Sequence, residues 1–131
     1  MKSKILGKIG ENFAEKYLKN KGYEILERNY KNKLGEIDII AFKKFGKFFK
    51  KIKTLVFVEV KTGIAGNNQI SPEENVHFWK QKKLIKAVKL YLKEKRINPN
   101  MPWQIDVVAV EYDELSNSAR IRHIENAVWD R

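Results

Sequence analysis

The chain has 131 residues, 43% of them hydrophobic, with 27 Lys and Arg against 16 Asp and Glu and a formal net charge of +11. This is enough apolar material for one core, and because no linker-like stretch divides the chain we expect a single domain over residues 1–131. No apolar run reaches the roughly 20 residues that cross a bilayer. Lysines interrupt the first ten residues before the apolar part of a signal peptide can form, so we expect a cytoplasmic protein without a membrane partner.

Charge and residue usage also limit the partners and cofactors. The positive charge favours a polyanion, nucleic acid first, because such a field concentrates phosphate backbones. A compositional bias toward lysine is the plainer alternative, since lysines far outnumber arginines. Cysteine is absent, which excludes disulfides and thiolate zinc sites. The histidines His77 and His123 lack metal-ligand spacing, so we expect any metal to be held by carboxylates.

Hydrophobic periodicity predicts the elements of the first half. Apolar residues at three- and four-residue spacing indicate a helix over Ser3 to about Asn20, and Gly22 is a typical C-terminal stop. Strands are predicted over Tyr23–Tyr30, Gly35–Ala41 and Thr54–Thr62. The third is a nearly continuous apolar run, which is typical of a strand buried on both faces, so we predict it as the central strand.

The second half begins with a helix-start signal, Ser71-Pro-Glu-Glu74, in which serine caps, proline suits the first turn and glutamate completes a capping box. The helix is predicted to run to about Lys95. Two more strands, Trp103–Glu111 and Ala119–Ile124, are joined by an acidic turn. The order helix, three strands, helix, two strands predicts an α/β domain with a mixed sheet flanked by helices.

Charged side chains interrupt two of the apolar strands. Glu36 and Asp38 are two apart, as are Glu59 and Lys61, so each pair shares one face of its strand. If the strands are neighbours, the four side chains converge. Because buried carboxylates repel one another and are costly to desolvate, a sheet that collects them usually binds a cation or performs acid–base chemistry. For Glu36 a solvated position at the strand's start is the preferred interpretation.

Asp38 and Glu59, with water and phosphate oxygens, form a ligand set that Mg²⁺ accepts. Phosphodiester cleavage needs an activated water, a Lewis acid and positive charge near the phosphorus. Lys61 is suited to orienting the water, deprotonating it or stabilising the transition state, and the sequence leaves these three roles open. The alternative for this cluster is a buried ion pair, which leaves one carboxylate uncompensated.

The motifs Gly7-x-x-Gly10-Glu11, Gly35-Glu-Ile-Asp-Ile-Ile-Ala41 and Val56-Phe-Val-Glu-Val-Lys-Thr62 resemble the YraN-like family over nearly the whole chain. The resemblance implies a restriction-endonuclease-like α/β fold, similar to archaeal Holliday junction resolvases, and possible pairing as a homodimer. It also implies a PD-(D/E)XK site at Asp38, Glu59 and Lys61 with Mg²⁺ or Mn²⁺. A glutamate on the first helix joins such sites, and Glu11 matches it by motif. The alternatives are a surface role for Glu11, or Glu15 in its place.

Between the second and third strands lies a long basic and aromatic stretch, Phe42 to Lys53, which departs from the family's short turn. Its lysines are predicted to bind nucleic acid phosphates while its phenylalanines stack on exposed bases. The equal alternative is a hairpin extension whose phenylalanines pack on the domain. Lys80 on the second helix resembles a downstream basic position of the family and joins the predicted binding set: Lys43, Lys44, Lys47, Lys50, Lys51, Lys53 and Lys80.

Three functions remain. The first is a metal-dependent DNA endonuclease, with branched DNA as one candidate substrate. The second is a nucleic-acid-binding module that keeps the fold without catalysis. The third, ranked last, is an accessory subunit that docks a partner through a patch including Val128-Trp129. Asp106 and His123 are predicted to be structural, since neither has a matched partner nearby in the sequence, and Trp103 is predicted to lie in the core.

Overall fold

The computed structural model describes residues 2–46, 51–66 and 78–128, and every element predicted from the sequence is present in it. The predicted bounds of the first helix are confirmed, whereas the strands are longer than predicted. The predicted helix start at Ser71 lies outside the described residues. The elements are α1 (Ser3–Asn20), β1 (Glu24–Asn32), β2 (Gly35–Phe45), β3 (Ile52–Ile64), α2 (Phe78–Glu94), β4 (Trp103–Asp113) and β5 (Ser118–Val128).

The strands form one mixed sheet in the order β1-β2-β3-β4-β5, which confirms β3 as the central strand. Neighbouring strands are antiparallel except β3 and β4, which are parallel. A parallel pair cannot be joined by a tight turn, and α2 lies in the connection that returns the chain to the start of β4. In the part of the chain that the structure describes, no helix is long and apolar enough to cross a membrane.

Each helix covers one face of the sheet. Along β3, Leu55 and Phe57 pack with the α2 face, whereas Val56 and Val58 pack with the α1 face. This alternation explains the continuous apolar run of β3, because a strand covered on both faces needs apolar residues at every position. Trp103 is only partly buried and packs at the border of the α2 core.

The helix α1 lies unusually close to the end of β3. A Cβ atom placed on Gly10 would lie 1.8 Å from Oγ1 of Thr62, so no larger residue fits without moving the helix. The other glycine of the motif, Gly7, has nothing within 4 Å of the same position. The contact at Gly10 therefore fixes α1 against the end of β3 and brings the next residue, Glu11, beside the sheet.

The strand β1 changes face in its middle. Arg28 bonds to Glu11 of α1 at 3.3 Å, whereas Tyr30 meets Tyr91 of α2 edge-on, with ring centroids 5.2 Å apart. Residues two apart on a regular strand share a face, so the backbone must turn between them. Asn29 makes this turn with a φ of 52°, in the left-handed region that asparagine tolerates better than most residues.

The same change of face occurs on β2 opposite this turn. Ile37 packs with the α2 core and Ile39 with the α1 core, although the two are separated by a single residue. That residue is Asp38. Its side chain is therefore directed by an irregular stretch of backbone rather than by the simple alternation of a strand.

Candidate functional site

Asp38 lies where β2 and β3 separate. Backbone pairing of the two strands begins at Ile39 opposite Val58, so Asp38 is one residue beyond the ladder. Its Oδ2 accepts a hydrogen bond from the backbone N–H of Val60 at 2.8 Å. The carboxylate thus takes the place of a backbone carbonyl as the acceptor for the Val60 N–H. It lies between β2 and β3 at the point where the two strands separate.

Glu59 is a buried carboxylate between two lysines. It is 4% exposed, and its Oε1 lies 2.6 Å from Nζ of Lys80 and 3.6 Å from Nζ of Lys61. Lys61 shares its strand, whereas Lys80 reaches over from the first turn of α2. Because a buried carboxylate needs charged or hydrogen-bonded partners, these two lysines compensate for the burial of the Glu59 side chain.

The neighbouring charges shift the pKa values of the site. Burial, followed by the charge of Glu59, raises the pKa of Asp38 to about 7, against the opposing effect of the Val60 N–H. Burial lowers the pKa of Lys61, and the hydrogen bond and charge of Lys80 lower it further, partly offset by Glu59. Burial also acts to lower the pKa of Lys80, but its contacts with Glu59 outweigh this and raise it.

Glu11 reaches the site from α1. It pairs with Arg28 at 3.3 Å, and its negative charge contributes to the raised pKa of Asp38. Its competitor, Glu15, lies 3.9 Å from Arg28, pairs with Lys19 at 3.5 Å and does not figure among the groups that shift Asp38. Of the two helix glutamates, Glu11 is thus the one that acts electrostatically on the sheet carboxylates.

An open cavity of about 290 Å³ gives access to these groups. It is bounded by β2, β3 and the first two turns of α2, and Lys83 joins Lys80 on its wall. Glu36 lies at the rim with its side chain 65% exposed and paired with Lys31 at 3.4 Å, in agreement with the solvated position expected for it. The cavity lining is Gly35, Glu36, Asp38, Glu59, Lys80, Lys83 and Leu84.

A family model described as an uncharacterised protein family, UPF0102, matches residues 10–110. The chain belongs to the UPF0102 family. It is 42% identical over 125 residues to a UPF0102 protein of Clostridium botulinum (strain 657 / Type Ba4), with 95% of this chain and 94% of that protein covered. It is 40% identical over 125 residues to a UPF0102 protein of Clostridium beijerinckii, with the same coverage. The resemblance to the YraN-like family is therefore confirmed.

The matched region of this UPF0102 member begins at Gly10, the close contact between α1 and β3, and includes Glu11, Asp38, Glu59 and Lys61. The structure brings these four predicted site residues to one end of the sheet. Glu11, Asp38 and Glu59 do not form a tight ligand set. Among the described residues, the group of three metal-capable side chains with donor atoms within 4.8 Å of one another consists of other residues.

The predicted phosphate-binding lysines of this UPF0102 member lie mostly along the β2–β3 hairpin. Lys43 sits over the ring of Tyr23 at 4.6 Å, and Lys53 over the ring of Phe42 at 5.1 Å. Lys44 and Lys51 are exposed, and Lys47 and Lys50 lie outside the described residues.

The described phenylalanines of the hairpin pack on the domain, as the alternative of a hairpin extension expects. Phe42 contacts the α2 core and Phe45 the α1 core. At the C-terminus, Val128 is 5% exposed and belongs to the α2 core, so it offers no docking surface. Its neighbour Trp129 lies outside the described residues.

Sequence reasoning missed a second cluster in this UPF0102 member. Asp106 and His123, predicted to be structural and without a partner, lie 2.7 Å apart, and Glu125 completes a group whose donor atoms fall within 4.8 Å. The register of the β4–β5 hairpin is the signal that could have revealed this cluster. Counting residues back from the acidic turn along both strands pairs Val108 with His123 and brings Asp106 toward Glu125. Residue spacing along the chain cannot reveal ligands that meet across paired strands.

Proposed function

We propose that this protein is a nucleic-acid-binding hydrolase of DNA phosphodiester bonds, a metal-dependent endonuclease with the restriction-endonuclease-like PD-(D/E)XK fold. The observation that carries the proposal is the convergence of Asp38, Glu59 and Lys61 at the separating ends of β2 and β3, beside an open cavity. The mixed sheet flanked by α1 and α2 supports the fold, and the membership of UPF0102 is compatible with it.

The carboxylates suit a divalent cation. Asp38 and Glu59 are desolvated side by side, and burial, followed by the negative charge of Glu59, raises the pKa of Asp38 to about 7. A positive charge between them relieves that repulsion, and carboxylate oxygens are the ligands that Mg²⁺ and Mn²⁺ prefer. Asp38 and Glu59 would hold the ion with Glu11 nearby. When bound, it would supply Lewis acidity and a more acidic water.

The lysines supply the remaining parts of the chemistry. Burial, followed by the hydrogen bond and charge of Lys80, lowers the pKa of Lys61, which favours a role for its Nζ in orienting or deprotonating the attacking water. Lys80 and Lys83 line the same cavity and place positive charge where an incoming phosphate would lie. Lys80 and Lys61 both contact Oε1 of Glu59, so Oε2 is the oxygen that these lysines leave for a metal ion.

Substrate binding is proposed to extend beyond the cavity. The net charge of +11 and the exposed lysines of the β2–β3 hairpin suit a long polyanion, DNA rather than a small phosphate. By resemblance to junction-resolving nucleases, we propose structured DNA as substrate and a homodimer as the working form. We propose the cytoplasm as its location.

A second candidate is a nucleic-acid-binding module without catalysis. One contact favours it: Lys80 and Lys61 already satisfy Glu59 without an added ion, so the cluster is stable as a set of ion pairs. In this case the charged surface binds nucleic acid and the carboxylates act as a scaffold.

The two candidates are separated by cleavage of labelled single-stranded, duplex, flap and four-way-junction DNA with Mg²⁺ or Mn²⁺. We expect cutting that requires the metal and is lost in Glu59→Gln and Lys61→Met, with binding kept. Glu36→Gln, an exposed carboxylate at the rim, is the matched control and should cut normally. DNA bound but never cut by the unmutated protein would instead support the binding module.

A further inference from the structure

A second group of titratable side chains lies on the α1 face of the sheet, away from the Glu59 cluster. Asp106 on β4 is fully buried, and His123 and Glu125 project from the neighbouring strand β5. One donor atom from each of the three lies within 4.8 Å of the others. The proposed hydrolase chemistry uses none of them.

The buried carboxylate of Asp106 is oriented at both oxygens. Its Oδ1 accepts hydrogen bonds from Nε2 of Gln104 and from the backbone N–H of Asn126, each at 2.9 Å. Its Oδ2 lies 2.7 Å from Nε2 of His123. Asn126 reaches this position through a left-handed φ of 51°, within the irregular stretch of the β4–β5 ladder. The local backbone is thus shaped around the Asp106 carboxylate.

The other two side chains each contact a tyrosine hydroxyl. The Tyr17 hydroxyl lies 3.2 Å from Nδ1 of His123, and the Tyr23 hydroxyl donates to Oε1 of Glu125 at 3.2 Å. Four hydrogen-bonded supports, from Gln104, Asn126, Tyr17 and Tyr23, therefore hold the three side chains whose donor atoms lie within 4.8 Å of one another.

We propose that Asp106, His123 and Glu125 form a binding site for a divalent transition metal of the Zn²⁺ class. Metal-binding histidines and carboxylates are characteristically fixed by hydrogen bonds at their non-ligating atoms, as they are here. A mixed set of one imidazole nitrogen and two carboxylate oxygens suits Zn²⁺ and disfavours Mg²⁺, which prefers oxygen alone.

Access is provided by a cavity of about 230 Å³ next to Glu125 and His123. With three protein ligands, a site of this kind keeps a further position for water or an anion. Two lysines also line the cavity, and their charge opposes a cation, but each is drawn toward an aromatic ring: Lys43 over Tyr23 at 4.6 Å and Lys21 over Tyr17 at 5.9 Å. They are placed to attract an anion to the open position.

The test uses the Asp38→Asn/Glu59→Gln double variant, in which the other carboxylate cluster is neutralised, so the result is independent of the proposed nuclease. We expect titration calorimetry to show one Zn²⁺ bound per chain and none of comparable affinity for Mg²⁺. The chain has only two histidines, so the NMR signals of the imidazole rings identify the ligand. Those of His123 should shift on adding Zn²⁺, and those of His77 should not.

Substitutions then distinguish a built site from surface binding. Glu125→Gln keeps an acceptor for Tyr23 but removes a charged ligand, and Tyr17→Phe removes a support of His123. Each should weaken Zn²⁺ binding by about 10- to 100-fold, the effect typical of removing a side chain that hydrogen-bonds to a metal ligand and a lower limit for removing a ligand itself. Glu114→Gln, an exposed carboxylate in the β4–β5 turn, is the control and should change nothing.

Folding of each variant is checked by its thermal melting temperature without metal. Absence of Zn²⁺ binding in the double variant would overturn the proposal. So would Zn²⁺ binding that leaves the His123 signals unmoved, or affinity that is unchanged in folded Glu125→Gln. DNA cleavage is not a readout of this experiment, so failure here leaves the nuclease proposal standing, and failure of the nuclease test leaves this one standing.

Discussion

The Asp38→Asn variant should be more stable than the wild type at and above neutral pH. Burial and the negative charge of Glu59 raise the pKa of Asp38 from 3.8 to about 7, so the folded protein opposes ionisation of this carboxyl. The unfolded chain loses the proton near its ordinary pKa. An asparagine keeps an oxygen to accept the Val60 N–H but carries no charge to desolvate.

The magnitude follows from the shift. A rise from 3.8 to about 7 corresponds to about 3 pKa units, and at about 1.4 kcal/mol per unit the cost of ionising Asp38 in the fold is at most about 4 kcal/mol. Because the folded pKa is above the unfolded one, the folded state binds more protons between these values. The free energy of unfolding of the wild type therefore falls relative to the variant as pH rises from about 4 to about 7, and the difference stays constant above that range.

The assay is urea denaturation of both proteins in EDTA buffers across this pH range. We expect an advantage of about 2 to 4 kcal/mol for Asp38→Asn at pH 8 that shrinks toward zero near pH 4. Glu36→Gln, at an exposed carboxylate, should show no such dependence. A variant that is equally or less stable at pH 8, or a difference that does not change with pH, would refute the account of desolvation and repulsion at Asp38.

Two further substitutions test the packing and the electrostatics of the site. Gly10→Ala should destabilise the fold by about 1 to 3 kcal/mol in urea denaturation, because the new Cβ would meet a β3 side chain at 1.8 Å. Gly7→Ala, where the space is open, should be neutral or stabilising. Equal effects of the two substitutions would contradict the close contact at Gly10. Lys80→Ala should raise the pKa of Lys61 in an NMR titration of its side chain, since the Lys80 contacts lower it. Lys86→Ala, an exposed lysine on the same helix, should leave it unchanged, and an unmoved Lys61 in Lys80→Ala would exclude the coupling.

Much of the architecture could be predicted because local patterns and packing agree. The spacing of apolar residues in α1 and the glycine after it, Gly22, predicted the bounds of this helix. The unbroken apolar run of β3 identified the central strand. That Asp38 and Glu59 lie near each other required only that β2 and β3 be neighbours, which a hairpin between them provides, although the direction of the Asp38 side chain did not follow from this. These features depend on short-range periodicity and on side chains that alternate along strands.

The remaining features depend on contacts that no local pattern contains. The direction of the Asp38 side chain is set by a change of face between Ile37 and Ile39, opposite Asn29 with its left-handed backbone. An asparagine within a predicted strand does not by itself indicate such a turn. The pairing of Asp106 with His123 depends on the register of β4 and β5 across an irregular ladder. Motif spacing does not identify two partners that lie 17 residues apart, although the turn between β4 and β5 limits which residues can meet.

The parallel pairing of β3 with β4 also affects how the chain emerges from the ribosome. When Ile64 has been made, α1 and the β1–β3 meander can form, but β3 is then an edge strand, paired with β2 on one side and without a neighbour on the other until residues 103–113 follow. An unpaired apolar edge is a template for aggregation. Synthesis of α2 delivers Lys80 before β4 follows, so Glu59 can pair with Lys80 before β4 closes that edge.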